Sequence, residues 1–119
     1  FTMESGQALA AELLQRQSPV TALFCFSDEM AIGALAAMRS AGIVCPDQIS
    51  IIGFDDIPMA SFVEPTLTTI RQPMELIGRR TVELLLGILS GQQTAPLSVT
   101  LPHELVFRRS VAPPPAAGR

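Results

Sequence analysis

The sequence predicts an α/β fold, a doubly wound parallel sheet flanked by helices, and three observations point to it. Short β-rich runs (Val20 to Phe26, Ser50 to Phe54, Leu67 to Ile70) alternate with longer segments whose apolar residues recur at helical spacing. The first of these runs shows no polar alternation after Thr21, the pattern of a strand covered on both faces, as parallel sheets require. A helical segment separates the first two runs, which is what a βαβ crossover needs.

The elements follow in order. Glu4 to Gln17 carries Ala8, Leu9, Ala11, Leu13 and Leu14 at helical intervals and is stopped by Ser18-Pro19. After the strand at 20–26, Ser27 and Asp28 both offer N-caps to a helix over Glu29 to Ala41, whose Met30, Ala34, Ala37, Met38 and Ala41 share one side. Gly42 is the expected C-cap, in the left-handed conformation. The chain turns through Cys45-Pro46-Asp47 into the strand 50–54. Pro58 to Val63 reads as a helical turn and 67–70 as a short strand. Pro73 stands where a helix begins without losing a hydrogen bond, and Met74, Ile77, Leu84, Leu85 and Ile88 give the longest helix one apolar side, ended at Gly91. A polar loop (Gln92 to Pro96), two short strands (Leu97 to Leu101 and Glu104 to Phe107) broken at Pro102, and a Pro-rich tail over 111–119 complete the chain.

Composition narrows the function. With 48% hydrophobic and 16% charged residues, the 119-residue chain has enough apolar material for a packed core. A net charge of -3 with scattered arginines argues against this segment gripping phosphates, so any DNA contact belongs to residues outside it. No apolar run approaches the roughly 20 residues of a membrane span. The two cysteines, Cys25 in an apolar strand and Cys45 in a turn, fit inert thiols of a reduced, cytoplasmic protein. The chain opens at Phe1 without a methionine or signal peptide, and an upstream portion is expected.

The most informative stretch is 49–73. An apolar strand ending in Gly53-Phe54-Asp55-Asp56 delivers two carboxylates to the carboxyl edge of the sheet, where parallel α/β folds hold ligands. A carboxylate accepts several hydrogen bonds, which suits sugar hydroxyls or the N–H edge of a base; equally, Asp after a strand often caps the next helix. Adjacent residues do not both face one cleft, so one ligand contact and one cap are expected. Ser27 and Asp28 sit at the same edge, with helix capping the leading role for Asp28. The single histidine, His103, lies away from that edge, and there is no zinc-ligand spacing, P-loop or nucleophile elbow. No catalytic residue, metal site or cofactor is expected.

Phe24-Cys25-Phe26-Ser27-Asp28-Glu29-Met30-Ala31-Ile32-Gly33, Ile49 to Ile57 and Pro65 to Pro73 together resemble the ligand-binding core of the lactose/galactose repressor (LacI/GalR) family of bacterial transcription regulators, over nearly the whole chain. The wording at 24–28 and 51–55 also resembles the nucleoside-responsive, cytidine-regulator-like branch. The resemblance implies a Rossmann-like, type I periplasmic-binding-protein-like architecture of which this is the C-terminal lobe: 1–70 in that lobe, 71–96 a crossover and helix that packs on the other lobe, 97–110 returning, 111–119 a disordered tail. It implies a cytoplasmic homodimer that binds a sugar or nucleoside effector and reaches operator DNA through a separate N-terminal headpiece. Effector contacts would be Asp55, Phe1 (an aromatic that stacks on sugar or base), Ser27 and Gln72, while Arg71 would face solvent or a carboxylate between lobes. The dimer interface would use Met30, Ala34, Ala37, Met38, Met59 and Phe62. The main alternative is a lobe of a periplasmic sugar-binding transport receptor; a hydrolase of nucleosides or sugars would need a nucleophile or metal cluster that the sequence does not display.

Overall fold

A computed structural model describes residues 1–16, 19–92 and 98–114. The chain forms two compact units, Phe1–Arg71 with Leu105–Arg119 and Gln72–Glu104.

The first unit opens with α1 (Met3–Gln15), which starts one residue earlier than the apolar spacing indicates because Thr2 and Ser5 form a reciprocal capping box. The expected stop at Ser18 lies outside the described residues. Strand β1 (Ala22–Phe24), helix α2 (Asp28–Ser40), strand β2 (Ser50–Phe54), a 3-10 turn at Pro58–Ser61 and strand β3 (Thr68–Arg71) follow, and β4 (Glu104–Val106) starts at the last residue of the second unit. The sheet order is β1-β2-β3-β4, and β1–β2 and β2–β3 are parallel. The order of these four strands in the sheet is also their order in the chain.

Position in the sheet corrects one expectation. β1 is not covered on both faces: it is the edge strand, with Ala22 and Phe24 exposed, whereas β2 is central and buries Ser50, Ile51 and Gly53. Helix α1 crosses α2 at its fully buried residues, Gly6 and Ala10, with Leu14 partly buried against the core; a Cβ on Gly6 would overlap the Met30 carbonyl just as one on Gly33 would overlap that of Met3. Backbone therefore meets backbone, which only glycine permits. Ala31, Ala34, Leu35, Ala37 and Met38 of α2, with Ile49, Ile51 and Leu67, form the core behind that crossing. Gly42 takes the left-handed conformation (φ 72°) that ends α2.

The C-terminal segment is built into this unit. Ser110, fully buried, donates to the Ile51 carbonyl (2.6 Å) and accepts from the Thr68 amide (2.8 Å), bridging β2 and β3. The first residues of the expected tail are also held, since Ser50 Oγ exchanges two 3.1 Å hydrogen bonds with the backbone of Ala112. Residues 115–119 lie outside the described ones.

In the second unit, α3 (Met74–Leu89) begins after Pro73 and ends before Gly91 (φ 73°). None of its residues is buried, and Met74, Val82, Leu85, Leu86 and Leu89 are exposed. No strand forms over 98–101, and Leu97, like residues 93–96 of the expected loop, lies outside the described residues. Among the described residues no helix is long and apolar enough to cross a membrane.

Candidate functional site

The parallel strands aim their carboxyl ends at one edge of the first unit, and there the chain forms a cleft of about 320 Å³ lined by Phe1, Phe26, Ser27, Asp28, Asp55 and Ile57, with Glu29 at its side. Three of the four residues named as effector contacts, Phe1, Ser27 and Asp55, meet in this cleft. The fourth, Gln72, is the first residue of the second unit.

Each wall follows from local structure. Phe1 (83% exposed) stands before the Thr2 cap of α1, and its ring lies 6.1 Å from that of Phe26, tilted by 60°. Two ring faces beside carboxylates make a surface for a ligand with both C–H faces and hydroxyl or N–H donors. Ser27 is the N-cap of α2, accepting from the Met30 amide at 3.2 Å. That leaves its hydroxyl proton and one lone pair to offer a ligand.

Asp28 departs from its expected role. It is not the cap; as the first helical residue it turns inward, is completely buried, and accepts from the Ile57 amide (2.8 Å) and the Thr69 hydroxyl (2.5 Å). Gly53 makes room for it, because a Cβ at position 53 would overlap Asp28 Oδ1. Burial pushes its carboxyl above the usual range; the two hydrogen bonds oppose that rise, and the charges of Asp55 and Asp56 add to it.

Asp55 and Asp56 lie in the positive-φ region (112° and 56°), uncommon for side chains with a Cβ. The Asp55 amide donates to the Ile70 carbonyl at 2.9 Å, continuing the β2–β3 ladder, and its side chain is exposed to the cleft. Asp56 is not a helix cap: the next turn has no side-chain cap, and Asp56 instead binds Arg71 Nε and Arg108 Nη2, each at 2.6 Å. Desolvation opposes its charge, but the bonds and charges of the two guanidiniums outweigh that and hold the carboxyl below its usual range. Arg71 thus finds a carboxylate in its own unit. Sequence reasoning missed this cluster and the buried role of Asp28, because both depend on partners many residues away; the runs Asp55-Asp56 and Arg108-Arg109 were the available signal.

The dimer residues separate into three groups. Ala34, Ala37 and Met38 are 1–5% exposed within the protomer, packed in the core behind α1, so they have no area to give to a partner. This corrects their assignment; the helix face counted as free is the one α1 covers. Met30 is half-buried beside Leu9 and Phe24. Met59 and Phe62 do face outward, and Phe62, 81% exposed, lines a groove of about 320 Å³ with Ile32, Ala36, Arg39 and Val63.

Burial raises the thiol pKa of Cys25 and of Cys45 to about 11, and the two are unpaired. Among the described residues no cluster of His, Cys, Asp and Glu has metal-binding geometry.

Comparison with known proteins identifies the architecture. Residues 2–111 match the periplasmic binding protein-like domain model. The chain is 44% identical over 110 residues to the HTH-type transcriptional repressor CytR of Escherichia coli K12, covering 92% of this chain and 32% of the repressor. It is 38% identical to the HTH-type transcriptional regulator CelR of Thermobifida fusca, with the same coverage. Among solved structures, a complex of the regulator CelR with cellobiose superposes with a TM-score of 0.85 at 38% identity, over 92% of this chain and 34% of that one. The lac repressor dimer bound to operator and the anti-inducer ONPF superposes with a TM-score of 0.82 at 32% identity, over 92% and 38%. The chain spans about a third of the length of these curated relatives. It belongs to the periplasmic binding protein-like domain family, in the form carried by LacI-family transcriptional regulators.

Proposed function

We propose that this chain is the effector-binding and self-associating part of a LacI/GalR-type regulator, holding a sugar or nucleoside against Asp55, Phe1 and Ser27. The observation that carries the reading is the cleft itself: an exposed carboxylate and two neighbouring aromatic rings gathered at the carboxyl edge of the parallel sheet. The ligand named for the solved CelR complex is a sugar, and a further LacI-family structure contains ribose. Gln72 is included as a contact on family resemblance alone. DNA is reached through a helix-turn-helix headpiece on other residues, in keeping with the negative charge of this segment. The protein works in the cytoplasm and turns over no substrate.

Effector acts by population shift: it binds one arrangement of the domain more tightly than the other, and that difference in affinity biases a dimer toward or away from DNA. Self-association uses Phe62, Met59 and the outward side of α2 at Ile32 and Ala36, not the buried Ala34, Ala37 and Met38. The apolar side of α3 is where the remainder of the effector domain packs, which accounts for its exposed leucines.

The test is titration calorimetry of the whole protein against cytidine, ribose, cellobiose and lactose, with Asp55→Ala beside it. At least one ligand is expected to bind the wild type, and Asp55→Ala to weaken it tenfold or more, since a charge-assisted hydrogen bond is worth about 1.5–3 kcal/mol. Unchanged affinity in Asp55→Ala would remove the site.

A further inference from the structure

Residues 55–57 form a short loop held by three separate ties, one per residue. The Asp55 amide is held by the Ile70 carbonyl of β3 at 2.9 Å. The Asp56 carboxylate is held by Arg71 and Arg108, and the Ile57 amide by the buried Asp28 at 2.8 Å. Such ties are needed because two successive residues with a Cβ stand at positive φ, each costing on the order of 1–3 kcal/mol, and strain of that size persists only where surroundings over-determine the backbone.

The middle tie differs from the others in where its partners lie along the chain. Arg71 is the last residue of the first unit before the chain enters 72–104, and Arg108 follows soon after it returns at Leu105. Arg108 is additionally fastened by its own amide to Thr68 Oγ1 (2.9 Å) and by Nη1 to the Leu67 carbonyl (2.7 Å). One carboxylate, 8% exposed, therefore joins the outgoing and the returning segments to the residue beside Asp55.

We infer that Asp56 is a positioning residue that fixes Asp55 at the cleft and couples this loop to both chain segments flanking the second unit. A displacement of Asp55 moves Asp56 with it, because adjacent residues in strained backbone share a peptide plane and have few alternative conformations. The displacement then reaches residues 71 and 108 through two charge-assisted bonds at 2.6 Å, the strongest polar contacts such groups make. The assignment rests on the reading of Asp55 as an effector contact for the purpose of the loop, not for the existence of the tie.

Amide hydrogen exchange on the whole protein without effector tests it. Asp56→Asn keeps the shape of the side chain and its tolerance of positive φ while removing the charge. It is expected to speed exchange about tenfold at the amides of Asp55 and Ile57 and also at those of Arg108 and Arg109, with the amides of α1 and α2 unchanged. Arg71→Met, at a half-exposed side chain whose loss leaves the core intact, is the second variant and should speed exchange at Asp55 and Ile57 from the opposite end of the tie. Acceleration confined to 55–57 in Asp56→Asn, a uniform acceleration across the unit, or wild-type rates at Asp55 in Arg71→Met would each overturn the coupling. No ligand enters the experiment, so a failed effector screen and a failed tie are separate results.

Discussion

Thr69 donates its hydroxyl to Asp28 at 2.5 Å, and neither side chain has any contact with solvent. The pair joins the first turn of α2 to β3 underneath the cleft, and Gly53 of the strand between them is the gap through which the carboxylate passes. The second carboxylate oxygen holds Ile57, so the floor of the cleft depends on one buried acid.

Removing one partner should be costly. Thr69→Val keeps the volume but leaves Asp28 Oδ1 buried without its donor, and a loss of about 2 kcal/mol is expected in urea unfolding, the cost of an unsatisfied charged group. Gly53→Ala places a methyl group in the space Asp28 Oδ1 occupies and should cost at least as much. Stability within about 0.5 kcal/mol of wild type for both variants would mean that the carboxylate has another way to be satisfied.

The two buried acids tilt the pH dependence in opposite senses. Asp56 titrates below its unfolded value, so its stabilisation is complete above roughly pH 4 and disappears as the pH falls through the folded value. Asp28 titrates above its unfolded value; its contribution is present at low pH and is lost as the pH rises through the folded value. Thermal unfolding of Asp56→Asn across the acid range should show a lower Tm than wild type at neutral pH, with the gap closing below about pH 4. A gap independent of pH would mean that the ion pairs add nothing through charge.

How far the sequence reached depended on the range of the interactions involved. The rim position of Asp55 was legible because a strand that ends in Gly-Phe-Asp leaves little choice about where the next residue lies. The alternation of helices and strands was legible from the spacing of apolar residues. The buried face of α1 was only partly legible, since apolar spacing selects Ala8, Leu9, Ala11, Leu13 and Leu14, of which Ala8 and Leu9 are exposed, whereas the fully buried positions are Gly6 and Ala10. The edge position of β1 was not legible either, because a single strand does not record how many neighbours it has. Asp28 read as a cap since local rules favour that role, and nothing near it in sequence announces Thr69 or Ile57.

The groove at Phe62 provides the last prediction, because it separates two kinds of apolar residue that look alike in sequence. Ala37 is 5% exposed and has α1 above it, so Ala37→Glu buries a charge and should unfold the protein or cost more than about 3 kcal/mol. Phe62 is 81% exposed with its ring on the surface, so Phe62→Glu should leave the Tm within a few degrees of wild type. If that ring is the anchor of a symmetric contact, the same substitution places a carboxylate from each copy at the centre of the interface, where aromatic residues contribute most. Sedimentation of the whole protein should then show at least a tenfold weaker dimer for Phe62→Glu. An unchanged dimer constant in a folded Phe62→Glu variant would place self-association on another face.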